Sequence, residues 1–133
     1  MENPVSPKSP RVFVVDDEMV IANTLGLILS GAGFAVRTFY DALSALEEAR
    51  VEAPDVVLSD VVMPGMDGFT LANKLMEQHP SCRVLLFSGN AFSSELHSEW
   101  RAKSGLHLEV LEKPVHPEIV IRKIKALAYS HLN

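Results

Sequence analysis

The sequence predicts an α/β fold, a doubly wound parallel sheet with helices on both faces. Three observations carry this. Short apolar runs rich in β-branched residues alternate five times with segments of helical spacing. The third run is almost wholly apolar at Val56, Val57 and Leu58, as a strand covered on both faces requires. The chain has 133 residues, one domain's worth, and five short strands with five helices of about ten residues use it up. Strands that alternate with helices run parallel and are joined by right-handed crossovers.

Residues 1–10 carry Pro4, Pro7 and Pro10 among polar neighbours, a composition excluded from helix interiors and central strands, so a flexible tail is expected there. The domain proper is expected over 11–133. Strands are predicted at Arg11–Val15, Phe34–Thr38, Asp55–Ser59, Arg83–Phe87 and Leu108–Leu111. Val20, Ile21, Leu25, Ile28 and Leu29 form the stripe of a first helix, stopped by Gly31 and Gly33. Asp41 caps a second that contains Leu43, Ala45, Leu46 and Ala49 and ends before Pro54. Asp67 or Gly68 opens a third with Phe69, Leu71, Ala72, Leu75 and Met76 on its apolar side, and Pro80 lies just past its end. A fourth, over about 91–103, spaces Phe92, Leu96 and Trp100 four apart, with Trp100 read as a packing residue. Pro117, a good first-turn residue, begins a fifth through Ile119, Val120, Ile124, Leu127 and Ala128.

Composition narrows the function. The net charge is −5, and lysine and arginine are scattered. Without a basic stripe, direct nucleic-acid binding is not expected. The densest basic group, Arg122, Lys123 and Lys125, reads as a solvated helix face. Apolar runs such as Val12–Val15 are too short to span a bilayer, and the first ten residues lack the apolar core of a signal peptide, so no membrane partner and a cytoplasmic location are expected. Cys82 is the lone cysteine and reads as a small buried hydrophobe. The five histidines have no ligand spacing.

Open parallel sheets bind ligands at the carboxyl ends of their strands. Asp16, Asp17 and Glu18 follow the first strand, Asp60 the third, Ser88-Gly89-Asn90 the fourth and Lys113-Pro114 the fifth. Each has an ordinary reading alone: Asp17 as a helix cap, Asp60 as the start of a turn, Lys113 as a surface lysine. Their joint placement on one rim is what argues for a site. Each like-charge carboxylate pair at ~4 Å costs about 4 kcal/mol at an effective dielectric near 20. Protonation of one carboxylate relieves this, as does a hard divalent cation. Magnesium suits a site with few carboxylates, several waters and a phosphate oxygen. A carboxylate can attack phosphorus to give an acyl phosphate, while the cation, Lys113 and the Ser88 hydroxyl neutralise or hydrogen-bond the transferring oxygens.

The stretches VVDDE (14–18), LSDVVMPGMDG (58–68), Ser88-Gly89 and LEKP (111–114) resemble the response-regulator receiver family of two-component signalling, from about Arg11 to the C-terminus. The resemblance implies a flavodoxin-like strand order of 2-1-3-4-5. It implies that Asp60 is the phosphoacceptor, supplied by a sensor histidine kinase or a histidine phosphotransfer protein. Asp17 and Asp60 would ligate Mg2+ directly with the backbone carbonyl of Val62, and Asp16 through water. Ser88 would be the switch hydroxyl and Lys113 the partner of Asp60 and then of the phosphoryl group. The Lys113–Pro114 peptide would be cis, and Gly65 and Gly68 would shape the adjoining loop and helix start. Output would pass to a downstream effector protein, with a phosphorylation-dependent homodimer as a further option. Such a domain is not a turnover enzyme, although it catalyses its own phosphotransfer and slow dephosphorylation.

Two departures from the family stand out. Val110 occupies the position where relatives often carry an aromatic residue, so no aromatic rotamer switch operates there. The span from Ser88 to Lys113 is long and lacks the usual alanine-rich stretch. The resemblance implies that Val62 and Asn90 flank the path of an attacking water, so apolar Val62 would give a long-lived phosphoryl state. An aspartyl phosphatase is disfavoured, because Val62 stands where a second aspartate is needed. A pseudo-receiver is disfavoured by the intact acidic, serine and lysine set, and a flavin module by carboxylates after the first strand. Both a stand-alone receiver and a fragment of a longer regulator remain open, with Met1 and the complete last helix leaning toward the former.

Overall fold

The computed structural model describes residues 9–89, 95, 98–100 and 108–130. Its strands are β1 (Arg11–Val15), β2 (Ala35–Phe39), β3 (Val56–Asp60), β4 (Arg83–Ser88) and β5 (Val110–Glu112). They form one parallel sheet in the order β2-β1-β3-β4-β5, as expected. Its helices are α1 (Met19–Gly31), α2 (Ala42–Val51), α3 (Gly68–Gln78) and α4 (Pro117–Ala128). Most of the helix expected over 91–103 lies outside the described residues, but Glu95 and residues 98–100 are helical. Residues 1–8 of the expected tail also lie outside them.

Side-chain alternation splits the core into two layers. Phe13, Val15, Val57 and Leu86 point to one face, where α2 and α3 cover them with Ala45, Leu46, Leu71 and Leu75. Val12, Val14, Val56, Leu58 and Leu85 point to the other, against Ala22 and Leu29 of α1 and Ile124 of α4. Every residue of β3 is buried, as its apolar sequence requires. Cys82 is buried in the first layer, and burial pushes its thiol up to about 12. Trp100 packs on that layer too, stacked on Phe69 at 5.6 Å.

Local chemistry sets the element ends. The Asp41 carboxylate accepts from the Ser44 N–H at 2.7 Å and the Asp67 carboxylate from the Thr70 N–H at 2.8 Å, capping α2 and α3. Gly33 turns α1 off with φ +102°, and the Phe34 N–H returns to the Leu29 carbonyl at 3.2 Å. Phe34 therefore closes the helix, and β2 begins one residue later than expected. β5 is shorter than predicted, starting at Val110 rather than Leu108.

The stripe predicted for α1 needs correction. Val20 is 78% exposed, whereas Ala22 and Gly26 are buried with Leu29. A Cβ on Gly26 would stand 2.7 Å from Thr38 Cγ2, so α1 lies so close to β2 that only small residues fit the seam. Leu43 of α2 is likewise exposed, and Ala42, Ala45, Leu46 and Ala49 make the contact.

Candidate functional site

The strand ends bring the predicted residues together. β1 delivers Asp16, fully buried, and then Asp17, exposed. The Asp16 N–H continues the sheet by donating to the Phe39 carbonyl at 3.1 Å. Its Oδ1 accepts from the Glu18 N–H at 2.9 Å, while its buried Oδ2 has no hydrogen-bond partner. Glu18 is the N-cap residue of α1, and no side chain caps that helix, so Asp17 is not spent on capping. β3 ends on Asp60, 6% exposed, and one oxygen each from Asp16, Asp17 and Asp60 lie within 4.8 Å of one another.

The chain must leave Asp60 without filling the space above it. Gly65 turns with φ +83°, a region that disfavours other residues. The Gly68 N–H then donates to the Val61 carbonyl at 2.8 Å. A Cβ on Gly68 would sit 2.3 Å from the Asp60 carbonyl oxygen, so α3 can start against the end of β3 only with glycine there.

β4 ends on Ser88, whose hydroxyl is buried and makes no hydrogen bond. Its carbonyl accepts from the Lys113 N–H at 2.9 Å, which ties the end of β5 to the rim. The Lys113–Pro114 peptide is cis, as expected. Lys113 Nζ stands 3.5 Å from Asp60 Oδ2, 3.7 Å from Asp16 Oδ2 and 3.9 Å from Glu18 Oε1. The ammonium also lies over the Phe87 ring, 4.9 Å from its centroid. The contacts of Glu18 and Phe87 were not foreseen. Glu18 at least belongs to the acidic run after β1, but nothing in the sequence marks Phe87.

The Asp16, Asp17 and Asp60 cluster shares one close ammonium with Glu18, so negative charge is in excess at this rim. Burial raises the Asp16 carboxyl to about 6, with the Glu18 N–H opposing and the Asp60 charge adding. Asp60 is raised as well, chiefly by burial, against the pull of Lys113 and the Val62 N–H. An all-oxygen cluster with an orphaned buried carboxylate oxygen fits a hard divalent cation. Val62 places a half-exposed apolar side chain beside the site, and Asn90 lies outside the described residues.

Residues 12–125 match the family model for the response regulator receiver domain. The chain belongs to that family. This receiver is 35% identical over 116 residues to the transcriptional regulatory protein CreB of Escherichia coli, covering 87% of this chain and 49% of CreB. It is 39% identical over 120 residues to the DNA-binding transcriptional regulator NtrC of the same organism, covering 90% of this chain and 25% of NtrC. The receiver thus spans half or less of the length of these relatives. Among solved structures, a CheY-like response regulator receiver domain protein from Methanospirillum hungatei superposes with a TM-score of 0.83 at 25% identity, covering 94% of this chain and 98% of the other. No helix among the described residues is long and apolar enough to cross a membrane.

Proposed function

We propose that the receiver accepts a phosphoryl group on Asp60 from a phosphohistidine, borne by a sensor histidine kinase or a histidine phosphotransfer protein. The supporting observation is the convergence of the Asp16, Asp17 and Asp60 oxygens within 4.8 Å, with Lys113 Nζ 3.5 Å from Asp60. An Asp60 oxygen forms the new O–P bond, the P–N bond of the donor breaks, and its electron pair returns to the imidazole nitrogen. Lys113 lies where its ammonium can move from the Asp60 carboxylate to the incoming phosphoryl oxygens. The Ser88 hydroxyl, buried without a partner, has a hydrogen bond to give once those oxygens arrive. Asp17, Asp60 and the Val62 carbonyl would hold Mg2+, with Asp16 acting through water. When bound, the ion supplies positive charge to the transferring group.

The phosphoryl group biases a conformational equilibrium by engaging Ser88 and Lys113, and a protein-binding surface reports it to a downstream effector. The acidic chain has no basic stripe, so its output runs through protein contacts, a phosphorylation-dependent homodimer included, and not through direct contact with nucleic acid. This chemistry belongs in the cytoplasm and makes the domain a phosphoacceptor rather than a turnover enzyme. Incubation with acetyl phosphate, followed by intact-mass spectrometry, tests the reading. The expected result is one added phosphoryl group that needs Mg2+ and disappears in Asp60→Asn. Equal labelling of Asp60→Asn, or none of the wild type, overturns it. A Val62→Asn variant is expected to lose the group several-fold faster, because the amide can orient the attacking water; an unchanged lifetime removes that role for Val62.

A further inference from the structure

Lys113 has two directions open to it. Inward lie Asp60 and Asp16, at 3.5 and 3.7 Å from its Nζ, and outward lies the exposed Glu18 at 3.9 Å. The two buried carboxylates draw the ammonium inward, but its flexible four-carbon stem leaves it free to sample the exposed Glu18 as well. A rigid apolar group also faces the ammonium: the Phe87 ring, 2% exposed, whose centroid lies 4.9 Å away. That distance lies within the range at which a cation is attracted to the face of an aromatic ring. The ring is packed in the core layer that holds Leu58, Leu85 and Ile124, on a backbone fixed by pairing with Asp60 and Leu111. It also borders a largely apolar groove of about 500 Å³ lined by Val20, Ile21, Leu25, Pro114 and Val115, with Thr24 as its polar residue besides Lys113 and no charged partner for the ammonium. Gly89 also lies beside the stem: a Cβ there would reach van der Waals contact with Lys113 Cδ, at 3.4 Å.

We propose that Phe87 is a positioning residue for phosphoryl transfer, its ring face holding the Lys113 ammonium over Asp60 and away from Glu18. The proposal rests on the reading of Asp60 as the phosphoacceptor. Phe87 touches neither the acceptor oxygen nor the donor and acts only through Lys113. Two consequences follow. Weakening the ring's negative face without changing its shape slows transfer. The effect disappears when Lys113 is absent, since nothing remains for the ring to hold.

The test is made on the full chain with three replacements at position 87: leucine, tyrosine and trifluorophenylalanine. The last keeps the ring's shape but removes most of its electrostatic attraction, so it guards against a leucine variant that packs poorly. Phosphorylation by acetyl phosphate with Mg2+ is expected to slow about five- to tenfold with leucine and with trifluorophenylalanine, and to recover with tyrosine. In a Lys113→Met background the same changes are expected to have no further effect. Independently of any phosphoryl chemistry, the Lys113 Hε protons are expected upfield of those of other lysines by the ring current, and to return in Phe87→Leu. A trifluorophenylalanine variant at the wild-type rate overturns the proposal, as does an unshifted Lys113 signal in the wild type. If Asp60→Asn labels normally while the Lys113 shift is present, the phosphoacceptor reading fails and the seat for Lys113 stands.

Discussion

At the amino ends of the strands, Arg11 forms an ion pair with the exposed Glu52, and the Asp55 carboxylate accepts from the Arg11 N–H at 2.8 Å. At the carboxyl ends of the same strands, Asp16, Asp60 and Ser88 are buried, and the Asp16 Oδ2 and Ser88 Oγ atoms have no hydrogen-bond partner. One sheet therefore treats polar groups in two ways. The first rim buries Arg11 Nε without a partner but leaves its carboxylates, Glu52 and Asp55, in water, where a pair contributes about 0–1 kcal/mol and tolerates change. The second rim takes carboxylates out of water and sets them against each other, an arrangement that opposes folding and suits ligand binding. Local structure that works against stability marks the functional end of the fold.

Substitutions sharpen the contrast, and Gly68→Ala has the largest expected effect. The new methyl would meet the backbone of Asp60 at 2.3 Å and that of Val61 at 3.0 Å, neither of which is a flexible side chain. A loss of about 3 kcal/mol is expected, read by denaturant unfolding. A cost under about 1 kcal/mol would mean that α3 does not abut β3 as closely as described. Next comes Asp16→Asn. It removes a carboxyl raised to about 6 while keeping an acceptor for the Glu18 N–H, so the metal-free protein at pH 7 gains about 1–2 kcal/mol, whereas its response to Mg2+ weakens. Destabilisation at pH 7 would show that the buried charge is satisfied. The smallest change belongs to the other rim: Glu52→Gln, an exposed partner, is expected to move the unfolding free energy by less than about 0.5 kcal/mol. A larger loss there would erase the distinction between the ends.

Much of this was legible in the sequence. Binary patterning placed the strands within a residue or two, because a strand buried on both faces, such as β3, leaves few alternatives. The site was legible because the fold class turns strand ends into a list of candidates. Asp16, Asp17, Asp60, Ser88 and Lys113 meet on one rim as that rule requires. The helix faces were harder to read. A helical stripe of large apolar residues puts Val20 inside and passes over Ala22 and Gly26, because the distance between α1 and β2 is a tertiary quantity. Phe87 was invisible for a related reason. As one apolar residue among several in β4, it gains its meaning only from the lysine that β5 lays over it.

The carboxyl-end rim buries charge that the fold alone does not neutralise. Asp16 binds its proton more tightly in the folded chain, at about 6, than in the unfolded chain, at 3.8. Its contribution to stability is therefore present in full below pH 3.8 and is lost as pH rises through 6, over a range of about 3 kcal/mol. The deciding measurement is the unfolding free energy of wild type relative to Asp16→Asn, from pH 4 to 7.5, with chelator and with Mg2+. Metal-free wild type is expected to fall behind the variant as pH rises, and Mg2+ to restore it at neutral pH but not at pH 4. A difference that stays flat with pH and does not respond to Mg2+ would contradict this.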